Sequence, residues 1–280
     1  MGPALPVVGN VLKALLLLLG LVALFAGVGW LIGGLQGLEI FVFCALLLAL
    51  AGYWYADRAV LGLAGARELP VGEAPSLHST VGRLAATANV APPKLYVLPD
   101  AFPRAFATGR GPASSALAVS SGLVAVCTPA ELEGVLAHEL AHIRRRDVLI
   151  TTAVVIAGVS LVEGSRFGGF AQRALLFVLA PVAAATQHLF LSPKREFGAD
   201  RAAAELLGTP HGLADALLRL DQASELVPFE ASPATEPLYT VNPFADEGLA
   251  RMFVTHPPLG ARVARLRGLD PEWRDKLRAA

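Results

Sequence analysis

His138, Glu139 and His142 stand in the order H-E-x-x-H within residues 128–147, TPAELEGVLAHELAHIRRRD. On a helix, positions four apart lie one turn apart on the same face, so both imidazoles can reach one metal ion. Glu139 projects from the neighbouring flank, where it can meet an activated water rather than the metal. The same spacing also arises by chance in helices, so a third ligand has to be found. Catalytic zinc takes three protein ligands and keeps a position for water or substrate. The best third ligand lies in SPKREFGADRAAAELLG, residues 192–208: Glu196 and Asp200 are four apart and share a face. Glu196 would complete the metal set, and Asp200 would accept a hydrogen bond from a ligand imidazole, fixing its tautomer. A solvated acidic face is the competing reading of that pair.

The elements that must position these residues are legible. Thr128 as N-cap, Pro129 at the first helical position and Glu131 three residues after the cap predict a helix start by capping box. Leu132, Val135, Leu136, Leu140 and Ile143 give that helix apolar surface. Ser192 and Pro193 predict a second helix start. Between the two helices lie apolar runs at 148–162 and 174–191, separated by EGSRFGGFAQR. They predict a second membrane hairpin, with a core helix as the alternative for the shorter first run. Two earlier runs, 14–32 and 40–55, are joined by LQGLE and predict a first hairpin. A signal peptide competes for the first of these runs, but no small-residue cleavage site with a polar start follows it. Basic residues near the segment ends (Arg58, Arg67, Arg144 to Arg146, Lys194, Arg195, Arg201) outnumber Arg166 and Arg173 in the opposite loops. By the positive-inside rule the site faces the cytoplasm.

Residues 76–91 predict an amphipathic helix and KLYVL, 94–98, a strand. Residues 104–108 and 115–120 flank GRGP and predict a hairpin at a sheet edge. Such an edge could take an extended peptide by strand addition, or be an ordinary core hairpin. Residues 223–247, rich in proline and weak in periodicity, predict a long loop, read as a flap near the cleft.

Composition bounds the rest. Hydrophobic residues are 54% and charged residues 16%, against about a quarter charged in soluble domains. Net charge is zero, so no nucleic-acid partner is expected. Cys44 and Cys127 match neither a disulfide framework nor a zinc spacing, and read as small apolar fillers.

Five stretches together carry a resemblance: AFATGR at 105–110, AVSSGLV at 118–124, HELAHIRRRD at 138–147, REFGAD at 195–200 and THPPLGARVARL at 255–266. The chain resembles the HtpX-type membrane zinc metalloproteases, a gluzincin family related to the CAAX prenyl proteases. The resemblance implies one zinc ion per chain on His138, His142 and Glu196, with Glu139 as the base and Asp200 behind the ligands. It also implies that Ala105, Phe106, Ala107 and Thr108 hold the substrate backbone. His256, in THPP, is a candidate for stabilising the developing oxyanion, or else has a helix-entry or packing role. Arg262 could pair with a carboxylate near the site or face solvent. Two departures stand out: Arg104 where the family usually has Asn, and Ala261 where it usually has an acidic residue.

The expected fold is mainly α, with a small β-sheet, four transmembrane helices and a zincin-like cytoplasmic metalloprotease domain. The expected division is 1–56, first membrane hairpin; 57–147, first part of the protease domain; 148–191, second hairpin; 192–280, second part. The expected protein is a multi-pass endopeptidase of the inner (plasma) membrane, cleaving misfolded or damaged membrane proteins at the cytoplasmic face. Its partners would be the lipid bilayer and polypeptide substrates. A specific processing endoprotease of the CAAX type and a non-catalytic zinc-stabilised scaffold are the alternatives.

Overall fold

The computed structural model describes residues 4–164, 172–227, 232–241 and 252–270. Helix α1, Ala4–Leu63, is apolar along almost its whole length and is broken at Gly33 and Gly34. Gly34 takes φ +58°, a conformation glycine adopts without steric strain. The chain reverses there, so Gly29 faces Gly37 with no room for a Cβ, and the Phe25 and Phe41 rings lie 6.3 Å apart. The predicted loop LQGLE is therefore helical, and two glycines make the whole turn. Among the described residues this is the one helix long and apolar enough to cross a membrane.

The second predicted hairpin corresponds to α5, Asp147–Gly164, and α6, Gln172–Phe190. The apolar part of α5, Asp147–Val162, is shorter than a span. Much of it is covered by protein: Ile150, Val154, Val155 and Val159 are buried, as are Ala180, Ala183 and Ala184 of α6. Most of the intervening predicted loop lies outside the described residues.

The sheet has four strands: β1 (Arg67–Glu68), β2 (Lys94–Leu98), β3 (Ala105–Gly111) and β4 (Ser114–Ser120), in the order β1-β2-β4-β3. β2 runs parallel to β4; the other pairs are antiparallel. The β3–β4 hairpin is longer than its sequence pattern suggests, because Gly109 and Gly111, at φ 135° and 151°, carry a bulge inside the strand instead of the turn. β3 is the edge strand, as expected, but it is an edge covered by protein. Ala105, Ala107, Leu117 and Val119 face one core with Leu84, Val135, Leu136 and Leu140, while Phe106, Ala116 and Ala118 face another with Val155 and Phe253. Both faces of the hairpin are buried, which explains its many alanines.

Helix α2, Pro75–Ala88, ends earlier than its periodicity suggests because Asn89 adopts the left-handed conformation, φ 55°, that closes a helix. A short helix α3, Ser121–Val126, not anticipated from sequence, is capped by Ser120 Oγ and leads to α4, Pro129–Arg144. The α4 capping box is present in full: Thr128 Oγ1 accepts from the Glu131 N–H and the Glu131 carboxylate from the Thr128 N–H. Helix α4 runs through the middle of the domain, buried from Gly134 to Ile143. Around it lie α7 (Pro193–Leu207), α8 (His211–Leu226) and α9 (Leu259–Arg267). The predicted loop at 223–247 is in part structured: 223–226 end α8, and Pro233–Leu238 form a 3-10 turn with Glu236 fully buried. Residues 228–231 and 242–247 of that loop lie outside the described residues.

Candidate functional site

Helices α4 and α7 meet so that the residues singled out by spacing come together. One donor atom each from His138, His142 and Glu196 lies within 4.8 Å of the others, and all three residues are buried. The two Nε2 atoms are 3.1 Å apart. The Glu196 carboxylate oxygens stand 3.4 Å from His138 Nε2 and 3.6 Å from His142 Nε2. Glu139 is on the neighbouring flank of α4, and its Oε2 accepts from the Ala107 N–H of β3 at 2.9 Å. Ala105, Phe106, Ala107 and His256 line the same cavity. Thr108 does not; its hydroxyl is buried against that of Thr152 at 2.9 Å.

The far sides of both rings face carboxylates. His142 Nδ1 meets Asp147 Oδ2 at 2.9 Å, and because a carboxylate only accepts, the proton sits on Nδ1. His138 Nδ1 lies 3.0 Å from Asp200 Oδ1, off the line of a well-directed hydrogen bond. Arg262 forks onto Asp200, Nε to Oδ2 at 2.9 Å and Nη2 to Oδ1 at 2.7 Å, while Nη1 donates to the Thr240 carbonyl. Arg262 is buried, so of its two readings the paired one holds. Ala261 is exposed, so the departure there removes no contact at the site. The other departure, Arg104, is buried just before β3, on Asp100 at 2.6 Å and against the Tyr239 ring.

The donor set fits a metal ion. Rings protonated on Nδ1 present bare lone pairs on Nε2, and two such lone pairs beside a carboxylate repel unless a cation or proton lies between them. Ligands about 2.0–2.1 Å from a tetrahedral zinc would lie about 3.3 Å from one another, close to the separations seen. Electrostatics show the same demand. Burial alone would raise the Glu196 carboxyl, but the charges of His142 and His256 facing it hold it well below the ordinary range. Burial would lower His142, yet Glu196 and Asp147 push it up to about 9. Glu139 lies above the usual carboxylate range, chiefly through burial.

Three residues here escaped sequence reasoning. Asp147 was visible as the end of HELAHIRRRD but had no assigned task. Glu236, within the predicted loop, accepts from His256 Nδ1 at 2.8 Å, from the Thr255 N–H at 3.1 Å and from the Thr255 hydroxyl at 2.6 Å. His256 Nε2 thereby points toward Glu196 Oε2, 3.7 Å away. Thr240 donates to the Ala105 carbonyl at 3.3 Å, on the outer edge of β3. The remaining histidines are elsewhere: His78 on the Leu69 carbonyl, His188 on that of Met252, His211 on Asp270.

Two imidazoles one helical turn apart, a carboxylate from a second helix and a free glutamate against a strand edge belong to the metal-dependent peptidases of H-E-x-x-H type. The comparisons narrow this class. Residues 72–270 match the model of peptidase family M48, and the chain belongs to that family. A protease HtpX homolog of Desulfatibacillum aliphaticivorans is 40% identical, over 94% of this chain and 91% of the relative. One of Pelotomaculum thermopropionicum is 41% identical, over 93% and 99%, and one of Pyrococcus abyssi 41%, over 90% and 93%. Among solved structures, that of S. mikatae Ste24p aligns at TM-score 0.50 and 20% identity, covering 92% of this chain and 66% of that one. That likeness is one of fold.

Proposed function

We propose that this metalloprotease is a zinc endopeptidase anchored in a membrane by the α1 hairpin, acting on membrane polypeptides at the cytoplasmic face. The observation that carries the reading is the convergence of His138 Nε2, His142 Nε2 and the Glu196 carboxylate beside Glu139. Zinc held by these three residues would supply Lewis-acid polarisation of a carbonyl and acidification of a water. Glu139 takes the water's proton and returns it to the leaving amine. Asp147 and Asp200 orient the two ligand rings, and Arg262 holds Asp200 in place. Glu236 holds His256 Nδ1 and so turns Nε2 toward the reacting centre, where a donor would stabilise developing negative charge.

The β3 edge is the substrate rail. Its outward groups are taken by side chains: the Ala105 carbonyl by Thr240 and the Ala107 N–H by Glu139. An extended peptide binds by exchanging these contacts for backbone pairs. Arg144 and Lys194, exposed at the ends of α4 and α7, support a cytoplasmic site. Arg145 and Arg195 carry less weight in that argument, since they also bond Asp147 and Glu196. A four-span topology, with α5 and α6 as a second hairpin between the two halves of the protease domain, goes with this reading. Clearing damaged membrane proteins is the task that a buried site beside a lipid anchor suits best.

The test is casein cleavage by the detergent-purified protein, stripped by chelator and reloaded with zinc, beside Glu139→Gln. Activity restored by zinc in the wild type and absent in the variant is expected. Equal activity in both would remove the mechanism.

A further inference from the structure

Asp147 stands where α4 passes into α5, and only 2% of it is exposed. One oxygen, Oδ2, serves His142 Nδ1 at 2.9 Å and Arg145 Nε at 3.2 Å. The other, Oδ1, accepts from the side-chain amide of Asn10 at 2.6 Å. The same amide nitrogen reaches the Arg145 carbonyl at 3.2 Å. Asn10 lies on the first arm of α1, in the apolar context VVGNVLKALLLLLG. One turn further on, Lys13 Nζ donates to the Phe190 carbonyl at the end of α6, 3.0 Å away. Ala14 and Leu17 then pack on Ile150, Val154 and Leu191. A polar side chain in a membrane helix is retained where it finds a partner inside the protein. For Asn10 that partner is the carboxylate behind a ligand ring.

We propose that Asn10 is a positioning residue of the metal centre. Asn10 of the first membrane helix holds Asp147, Asp147 holds the His142 ring, and metal affinity therefore depends on that one contact rather than on the docking of the helix in general. The proposal rests on the reading of His142 as a metal ligand. Without Asn10, Oδ1 loses its amide donor and the carboxylate can turn about its own axis. The ring then loses a fixed partner that sets both its orientation and its basicity. Changes behind metal ligands typically weaken binding about 10–100-fold.

The experiment uses the full chain in lipid nanodiscs and measures zinc affinity by chelator competition and the visible absorption of the Co²⁺-loaded protein. Asn10→Ala should bind zinc about tenfold more weakly and alter the Co²⁺ bands. Asn10→Ser, which keeps a shorter donor, should fall between it and the wild type. Lys13→Ala, which loosens the same helix away from the site, should change neither readout. In an Asp147→Asn background, Asn10→Ala should add nothing. Wild-type affinity in Asn10→Ala, an equal loss in Lys13→Ala, or additive losses in the double variant would each overturn the proposal. A wild-type chain that takes up neither metal would instead overturn the reading of His142 on which it stands.

Discussion

Glu139 is a buried carboxylate beside the His138, His142 and Glu196 donor atoms, and it accepts from the Ala107 N–H of β3. On the proposed reading it leaves that contact to take a proton, so Glu139→Gln should lower turnover by about 10²–10⁴-fold, the usual range for a lost acid–base group, with metal content unchanged. Metal analysis beside a cleavage assay checks both halves of that expectation. Arg262 differs in kind, because on the same reading it would act through Asp200, which it grips with two nitrogens. Arg262→Lys keeps the charge and loses the two-pronged grip, so zinc affinity should fall about tenfold while the protein stays folded. Glu236→Gln leaves the metal ligands untouched and removes the charge that faces His256. Turnover should drop with KM little changed, and the same substitution should have no effect in a His256→Ala background; a drop there would make Glu236 a packing residue only.

At the scale of elements, α4 is set by local chemistry at its start and by close packing further along. Thr128→Ala removes one half of the capping box and should destabilise by about 1 kcal/mol. Gly134 shows how packing overrides propensity. Alanine is favoured over glycine in a helix by about 1 kcal/mol. A Cβ at 134, however, would lie 2.5 Å from the Leu213 backbone nitrogen of α8. Gly134→Ala should therefore destabilise, by about 1–3 kcal/mol, as overpacking does. Thermal unfolding in detergent reads the sign directly: a rise in midpoint would mean that α4 and α8 part easily.

For the molecule as a whole, the site joins pieces that are far apart in the chain. The His138 and His142 rings come from α4, Glu196 from α7, His256 and Arg262 from the segment entering and forming α9, and the carboxylate contact behind His142 reaches back to α1. A metal ion bound among them would tie those pieces together. It should raise stability by about 2.7 kcal/mol when present at a hundred times its dissociation constant. Chelation should accordingly lower the unfolding midpoint and zinc restore it, in Glu139→Gln as fully as in the wild type. No shift on chelation would mean that the cluster holds no metal that matters to the fold.

The parts of this protein legible in its sequence are those governed by spacing along one element. H-E-x-x-H on a capped helix, Glu196 and Asp200 one turn apart, and the apolar runs all follow from helical period and side-chain chemistry, and need no knowledge of neighbours. The turn of the α1 hairpin was misplaced because two glycines suffice where a five-residue loop was expected. The length of β3 was underestimated because glycine at positive φ can carry a bulge as readily as a turn. Tertiary structure alone decided which partners met: Arg262 on Asp200, Glu236 on His256, Asn10 on Asp147. Each of these pairs joins residues from different elements, and a contact between elements is set by how they pack in three dimensions, which no periodicity within either one encodes.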